Sequence, residues 1–218
     1  MGNLSVKKVA GISIMLGPII GVVGYFLQQL VVLEGGDPTS AAVVPLINAS
    51  AGLTFVTGLL IMIGLVMMLN GVRYLSSQLT GGGAALSGYV LTLVSFGILG
   101  WLVTVAGNWT IAGLDFAAGE GANAGPVFAL NQGINTMATL LFGAGFVILA
   151  YCISQGDVHN KIFAYIASVT ALVLVVVQVL SSADVITDGQ LASTIGGICF
   201  IIFTLWAITL GREILSSE

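Results

Sequence analysis

Between Lys8 and Glu34 no side chain carries a formal charge, and the same holds for five further stretches, 38–72, 74–114, 121–156, 162–183 and 189–211. A helix needs about 20 apolar residues to cross the hydrocarbon core of a bilayer, so each stretch is long enough for one crossing. The charges that separate them alternate in kind. Lys7 and Lys8 come first, then Glu34 and Asp37, then Arg73, then Asp115 and Glu120. Lys161 (with Asp157) follows, then Asp184 and Asp188, and finally Arg212. Six crossings place every Lys and Arg on one side and six of the nine acids on the other.

The expected fold is therefore an all-α integral membrane protein, a single domain over 1–218 with six transmembrane helices in a compact bundle and short loops. The helices are expected at about 9–33, 43–70, 84–112, 126–153, 162–183 and 190–211. Charged residues make up 6% of the chain and hydrophobic ones 57%, whereas about a quarter of a soluble domain is charged. A soluble globular domain is excluded on that ground. The first apolar stretch is too long for the core of a signal peptide and lacks a small-residue cleavage site, so it reads as a retained helix. Cytoplasmic loops carry an excess of Lys and Arg, which puts both termini in the cytoplasm. The short loops and scarce lysine point to a prokaryotic cell membrane. The six opposite acids read either as a solvated rim or as a field that concentrates cations or a basic partner.

Local signals refine the map. Asp37-Pro38 has the form of a helix N-cap with proline in the first helical position, and Pro45 suggests a kink or a fresh start ahead of span two. Pro126 opens span four, and Gly81-Gly82-Gly83 reads as a flexible turn. Gly17-Pro18 lies inside span one and marks a possible hinge, or else a static kink whose freed carbonyl is satisfied by neighbours. Gly17, Gly21 and Gly24 suit close helix approach. Tyr74, Tyr89, Tyr151 and Tyr165 fall near one expected interface and Trp109 near the other, where amphipathic rings are favoured. Trp101 and Trp206 lie deeper, and their indole N–H groups call for partners.

Several chemistries lack their residues. No Asp, Glu, Lys, Arg or His falls deep in an expected span, and proton relays and ion-coupled pumps normally place one there. The single histidine, His159, sits in a loop, which leaves a bis-histidine haem or a zinc site without ligands. Cys152 and Cys199 are far apart and read as packing residues rather than as a disulfide or redox pair. No cofactor, metal, catalytic residue or nucleic-acid partner is expected, and an enzyme is the least favoured class. The sequons at Asn48 and Asn108 lie almost against helices and read as inert.

What remains is amide and hydroxyl chemistry. Span four carries Asn131, Asn135, Thr139 and Gly143 four residues apart, hence on one face. Span three carries Gly100, Thr104 and Asn108 at the same spacing. The two helices run antiparallel, which sets Asn108 and Asn131 at one level and Thr104 and Asn135 somewhat deeper. Asn48, Gln28 and Gln178 add amides to the same half of the membrane. One reading is interhelical hydrogen bonding, each bond contributing about 0.6–2 kcal/mol. The other is a polar vestibule that binds neutral or weakly charged groups. Three functional expectations follow. The first is a non-catalytic accessory or scaffold subunit that packs against lipid, other membrane proteins or itself. The second is a passive channel or carrier for a small polar solute, and the third a lipid- or pigment-binding protein.

Overall fold

Capping chemistry sets where several helices begin. The Ser5 hydroxyl accepts from the Lys8 amide at 3.1 Å and starts α1 (Val6–Leu27). Asn160 accepts from the amides of Ile162 and Phe163 at the head of α6 (Lys161–Ser182). Asp188 does the same for Gln190 and Leu191 at the head of α7 (Gly189–Ser216). Each side chain satisfies amides that the first turn leaves without an intrahelical partner. Between these lie α2 (Ser40–Ala49), α3 (Ala51–Ser77), α4 (Gly82–Gly113) and α5 (Ala124–Gln155). The computed structural model describes residues 5–34, 39–156 and 159–216, and Asp37-Pro38 lies outside them.

Among the described residues, six helices are long and apolar enough to cross a membrane. The protein is thus an all-α, multi-pass membrane bundle in contact with lipid. Each span packs on the one before and the one after it, and α7 closes on α1, so the six form a ring in chain order. An even number of crossings brings both ends of the described chain to one end of the ring, the terminal end.

The spans run close to the expected bounds except at span two. That span was expected as one helix over 43–70. It is two, and the break falls at Ser50, whose backbone (φ −108°, ψ 36°) is not helical. Pro45, the expected kink, sits exposed within α2, which continues through it. The break is held by tertiary bonds. Asn48 donates to carbonyls of Ile111, Ala112 and Leu114 at the end of α4. Thr54 Oγ1 donates to Ile47 O at 3.3 Å and occupies a carbonyl that the break frees. α3 then continues past residue 70 to Ser77, which puts Asn70 and Arg73 within the helix. Span one keeps its expected reach but changes form: α1 ends at Leu27 and widens into a π-turn over Gln28–Val32, closed by Leu33 N donating to Gln28 O at 3.0 Å.

With 32 residues each, α4 and α5 are about 48 Å long, well beyond the roughly 30 Å of hydrocarbon. α2 packs over the ends of both that lie away from the termini. Val43, Val44 and Ile47 of α2 bury against Ile111, Ala124 and Phe128 there.

Glycine sets how closely the ring's walls approach. A methyl group at Gly17 would lie 2.6 Å from Met68 N and 2.8 Å from Gly64 O, and one at Gly64 would run into the Gly17 and Gly21 backbone. α1 and α3 therefore touch backbone to backbone. The same closeness joins Gly11 of α1 to Gly211 of α7, where an added Cβ on Gly211 would lie 2.7 Å from Gly11 O. In lipid, where apolar burial drives little association between helices, such contacts carry much of the cohesion. α1 runs unbroken through Gly17 and Pro18; both are buried, Gly17 against α3.

The inside of the ring is filled by aromatic rings. Trp101 of α4 packs on Phe142 of α5 at 4.7 Å between centroids and on Phe200 of α7 at 5.6 Å. Phe142 stacks on Phe146 at 4.4 Å, and Phe146 meets Phe203 and Trp206 of α7 at 5.3 and 5.9 Å. Tyr25 of α1 completes the set against Phe200. These contacts cross the ring from α4 and α5 to α7. Phe142, Phe146, Phe203 and Trp206 are all buried in one cluster with Ile14, Val72, Val94 and Leu149.

Candidate functional site

The residues that carry chemistry in this chain are amides and hydroxyls, and the structure brings some of them together. Asn131 of α5 is buried, and its Nδ2 donates to Asn108 Oδ1 of α4 at 3.2 Å and to Thr104 O at 3.3 Å. The contact exists because residue 107 is glycine. A Cβ on Gly107 would overlap the Asn131 amide. Below this pair, Gly100 and Gly97 admit Ala138 and Phe142 at 2.7 and 2.6 Å from where their own Cβ atoms would be. The α4–α5 seam is thus polar at the Asn108 level and tightly apolar beneath.

The other candidate residues are spread over different seams. Thr104 donates to Trp101 O and Thr139 to Asn135 O, each within its own helix. Gln178 of α6 donates to Thr136 Oγ1 of α5 at 3.3 Å and ties a second pair of spans. Asn48 fastens α2 to the end of α4. Gln28 is buried at the mouth of the π-turn. Asn135 is half-buried, and its side chain makes no hydrogen bond among the described residues. Asn108 and Asn131 meet; Asn48, Gln28 and Gln178 do not join them.

Two hollows open on the ring's wall, both between α3 and α4. One, of about 370 Å³, is lined by Val66, Leu69, Asn70, Arg73, Leu91 and Ser95. The other, of about 180 Å³, lies toward the far end at Ala51, Phe55, Trp109, Ala112 and Gly113. Neither is lined by the candidate amides.

Polar ties that the sequence reading missed lie mostly toward the terminal end. Asn70 Nδ2 of α3 donates to Ser13 of α1 at 3.2 Å, and Ser76 donates to Ser87 O of α4 at 2.8 Å. Ser168 of α6 donates to Val147 O of α5 at 3.2 Å. His159, read from the sequence as an ordinary loop residue, places Nδ1 2.7 Å from Glu213 Oε2 of α7 and is itself only half-exposed. The sequence held one usable signal: Asn70 is the one amide in the expected spans that lies far from the others. Trp101 and Trp206 were expected to need indole partners. Neither indole N–H makes a hydrogen bond among the described residues, and the fully buried side-chain polar atom without a partner there is Trp109 Nε1, which lies against Gly58 while its ring stacks on Phe55 at 4.7 Å.

Three of the acids at the far end, Asp115, Glu120 and Asp188, accept from the local backbone. Asp188 caps α7, and Asp115 Oδ1 accepts from Ala118 N at 3.1 Å. Glu120 Oε2 accepts from Asp115 N at 2.8 Å. Glu34 and Asp184 take positive φ (53° and 55°) where helices stop. Among the described residues no three His, Cys, Asp or Glu side chains converge as metal ligands would.

The Asn108–Asn131 bond gives a direct test of interhelical glue. In a double-mutant cycle of Asn108→Ala and Asn131→Ala, the coupling is expected at about 0.6–2 kcal/mol. Reversible unfolding in mixed micelles reads it, and additive effects of the two changes would assign the pair no mutual bond. Compared with protein families, with curated proteins and with solved structures, the chain matches none of them.

Proposed function

We propose that this is a non-catalytic accessory or scaffold subunit, acting by lateral packing with another membrane protein or with copies of itself. The observation that supports this reading is the filled interior. Trp101, Phe142, Phe146, Phe203 and Trp206 interlock where a solute path would run. A protein with its centre closed meets its surroundings through its outer wall. That wall exposes Tyr89, Phe96, Leu99 and Val103 along α4, with Gly88 open on the same helix. On the distribution of Lys and Arg we place both termini in the cytoplasm, in a prokaryotic cell membrane.

One observation favours a second reading, a passive channel or carrier with an amide-lined vestibule: Asn135 carries an unbonded amide one turn from Asn131. A single experiment separates the two. Native mass spectrometry of protein released gently from its own membrane is expected to show a stoichiometric second protein or a homo-oligomer. A lone monomer overturns the subunit reading, and a lone monomer holding a small polar molecule supports the carrier.

A further inference from the structure

The larger hollow lies well away from the Asn108–Asn131 pair. Its wall on α3 runs from Arg73 to Val66, two turns or about 10 Å, and Leu91 and Ser95 of α4 form the other side. Val66, Asn70 and Arg73 are exposed on the outside of the ring. The hollow therefore opens sideways, toward lipid.

Three polar groups in this wall have unused hydrogen-bonding capacity. Among the described residues no carboxylate pairs with Arg73. Ser95 makes no hydrogen bond among the described residues. Its neighbours on the same helix, Thr92, Thr104 and Thr110, all donate to carbonyls of their own helix. Asn70 spends one N–H on Ser13 and keeps its carbonyl oxygen and second N–H. Polar groups at membrane depth are costly when left unmet, and these three share one concavity with Val66, Leu69 and Leu91.

We propose that this groove binds one anionic phospholipid from the leaflet on the terminal side. Its phosphate sits on the Arg73 guanidinium and an acyl chain lies along Val66, Leu69 and Leu91. Arg73 stands four residues before the end of α3, about 6 Å along the axis, a depth from which its long side chain reaches the headgroup layer. Guanidinium offers a paired fork of N–H donors that matches phosphate oxygens. Asn70, one turn deeper, and Ser95 supply hydrogen bonds to the ester oxygens. With an unpaired cation and no acid in its lining, the groove favours a net negative headgroup over a zwitterionic one. The proposal is independent of the assembly reading, because it needs only the isolated chain.

The test is native mass spectrometry of the full chain in detergent, titrated with phosphatidylglycerol or with phosphatidylcholine of the same acyl chains. One phosphatidylglycerol is expected to be retained, with a preference of roughly five- to tenfold over phosphatidylcholine. Arg73→Gln should erase that preference, and Arg73→Lys should keep part of it. Arg212→Gln, which removes another exposed base near the terminal end, should leave it intact. Leu91→Trp, which fills the groove, should weaken both lipids alike, and millimolar inorganic phosphate should displace neither. A preference that survives Arg73→Gln, or that falls equally with Arg212→Gln, overturns the proposal. So does displacement by inorganic phosphate. Arg73 is exposed, so its variants are expected to keep the helical content of the parent; circular dichroism checks this, and Leu91→Trp decides the matter if they do not.

Discussion

Gly64→Ala is expected to destabilise the bundle by about 2–3 kcal/mol. The added carbon has nowhere to go. The Gly17 carbonyl oxygen and the Gly21 Cα each lie 2.6 Å from its position, and both are backbone atoms of α1 rather than ends of flexible side chains. α1 must move off α3, and the movement carries away the neighbouring fits of Gly17 on Met68 and Gly71 on Ile14. Gly88→Ala is the matched control. No atom lies within 4 Å of its added carbon, and alanine is the better helix former by up to about 1 kcal/mol, so it should hold or slightly raise stability. Denaturant-induced unfolding in mixed micelles compares the two. Equal effects at positions 64 and 88 would show that α1 and α3 are not in backbone contact.

Phe142→Ala is expected to cost about 3 kcal/mol, near the low end for losing a buried phenyl ring. In a soluble protein, part of that cost is the transfer of apolar surface to water. Here the unfolded reference is a helix still in lipid, where the ring is nearly as well solvated, so the loss falls on packing and on the cavity left behind. Phe142 touches Trp101, Phe146 and Phe203, so one deletion loosens contacts on both α4 and α7. Leu130→Ala, on the same helix but 65% exposed, should change stability by less than about 0.5 kcal/mol. The idea fails if the two substitutions have the same effect in the unfolding assay.

The spans were legible because charge is so rare in this chain that each acidic or basic residue marks an end. The seam of α4 and α5 was legible for a related reason: four-residue spacing on antiparallel neighbours brings Asn108 and Asn131 to one level, and they bond at 3.2 Å. The break at Ser50 was not. Asn48-Ala49-Ser50 contains no strong helix breaker, while Pro45 does and leaves α2 intact. What breaks the helix is tertiary: the Asn48 amide reaches carbonyls more than sixty residues later. The aromatic filling was equally hidden. Trp101, Phe142 and Phe203 are scattered over three helices, and a sequence without partner information cannot say which rings face inward. The His159–Glu213 contact spans 54 positions and left no local trace.

The closing of α7 on α1 also orders events during synthesis. Neighbouring spans can pair as they leave the ribosome, since each seam but one joins consecutive membrane helices. The exception needs the last helix, which supplies Phe200, Phe203 and Trp206 to the interior and Gly211 to the contact with Gly11. Until it inserts, the nascent bundle is an open crescent whose inner lining of rings faces lipid. α7 is thus the element that closes the ring: without it Trp101, Phe142 and Phe146 lack the rings of Phe200 and Phe203 that they pack on.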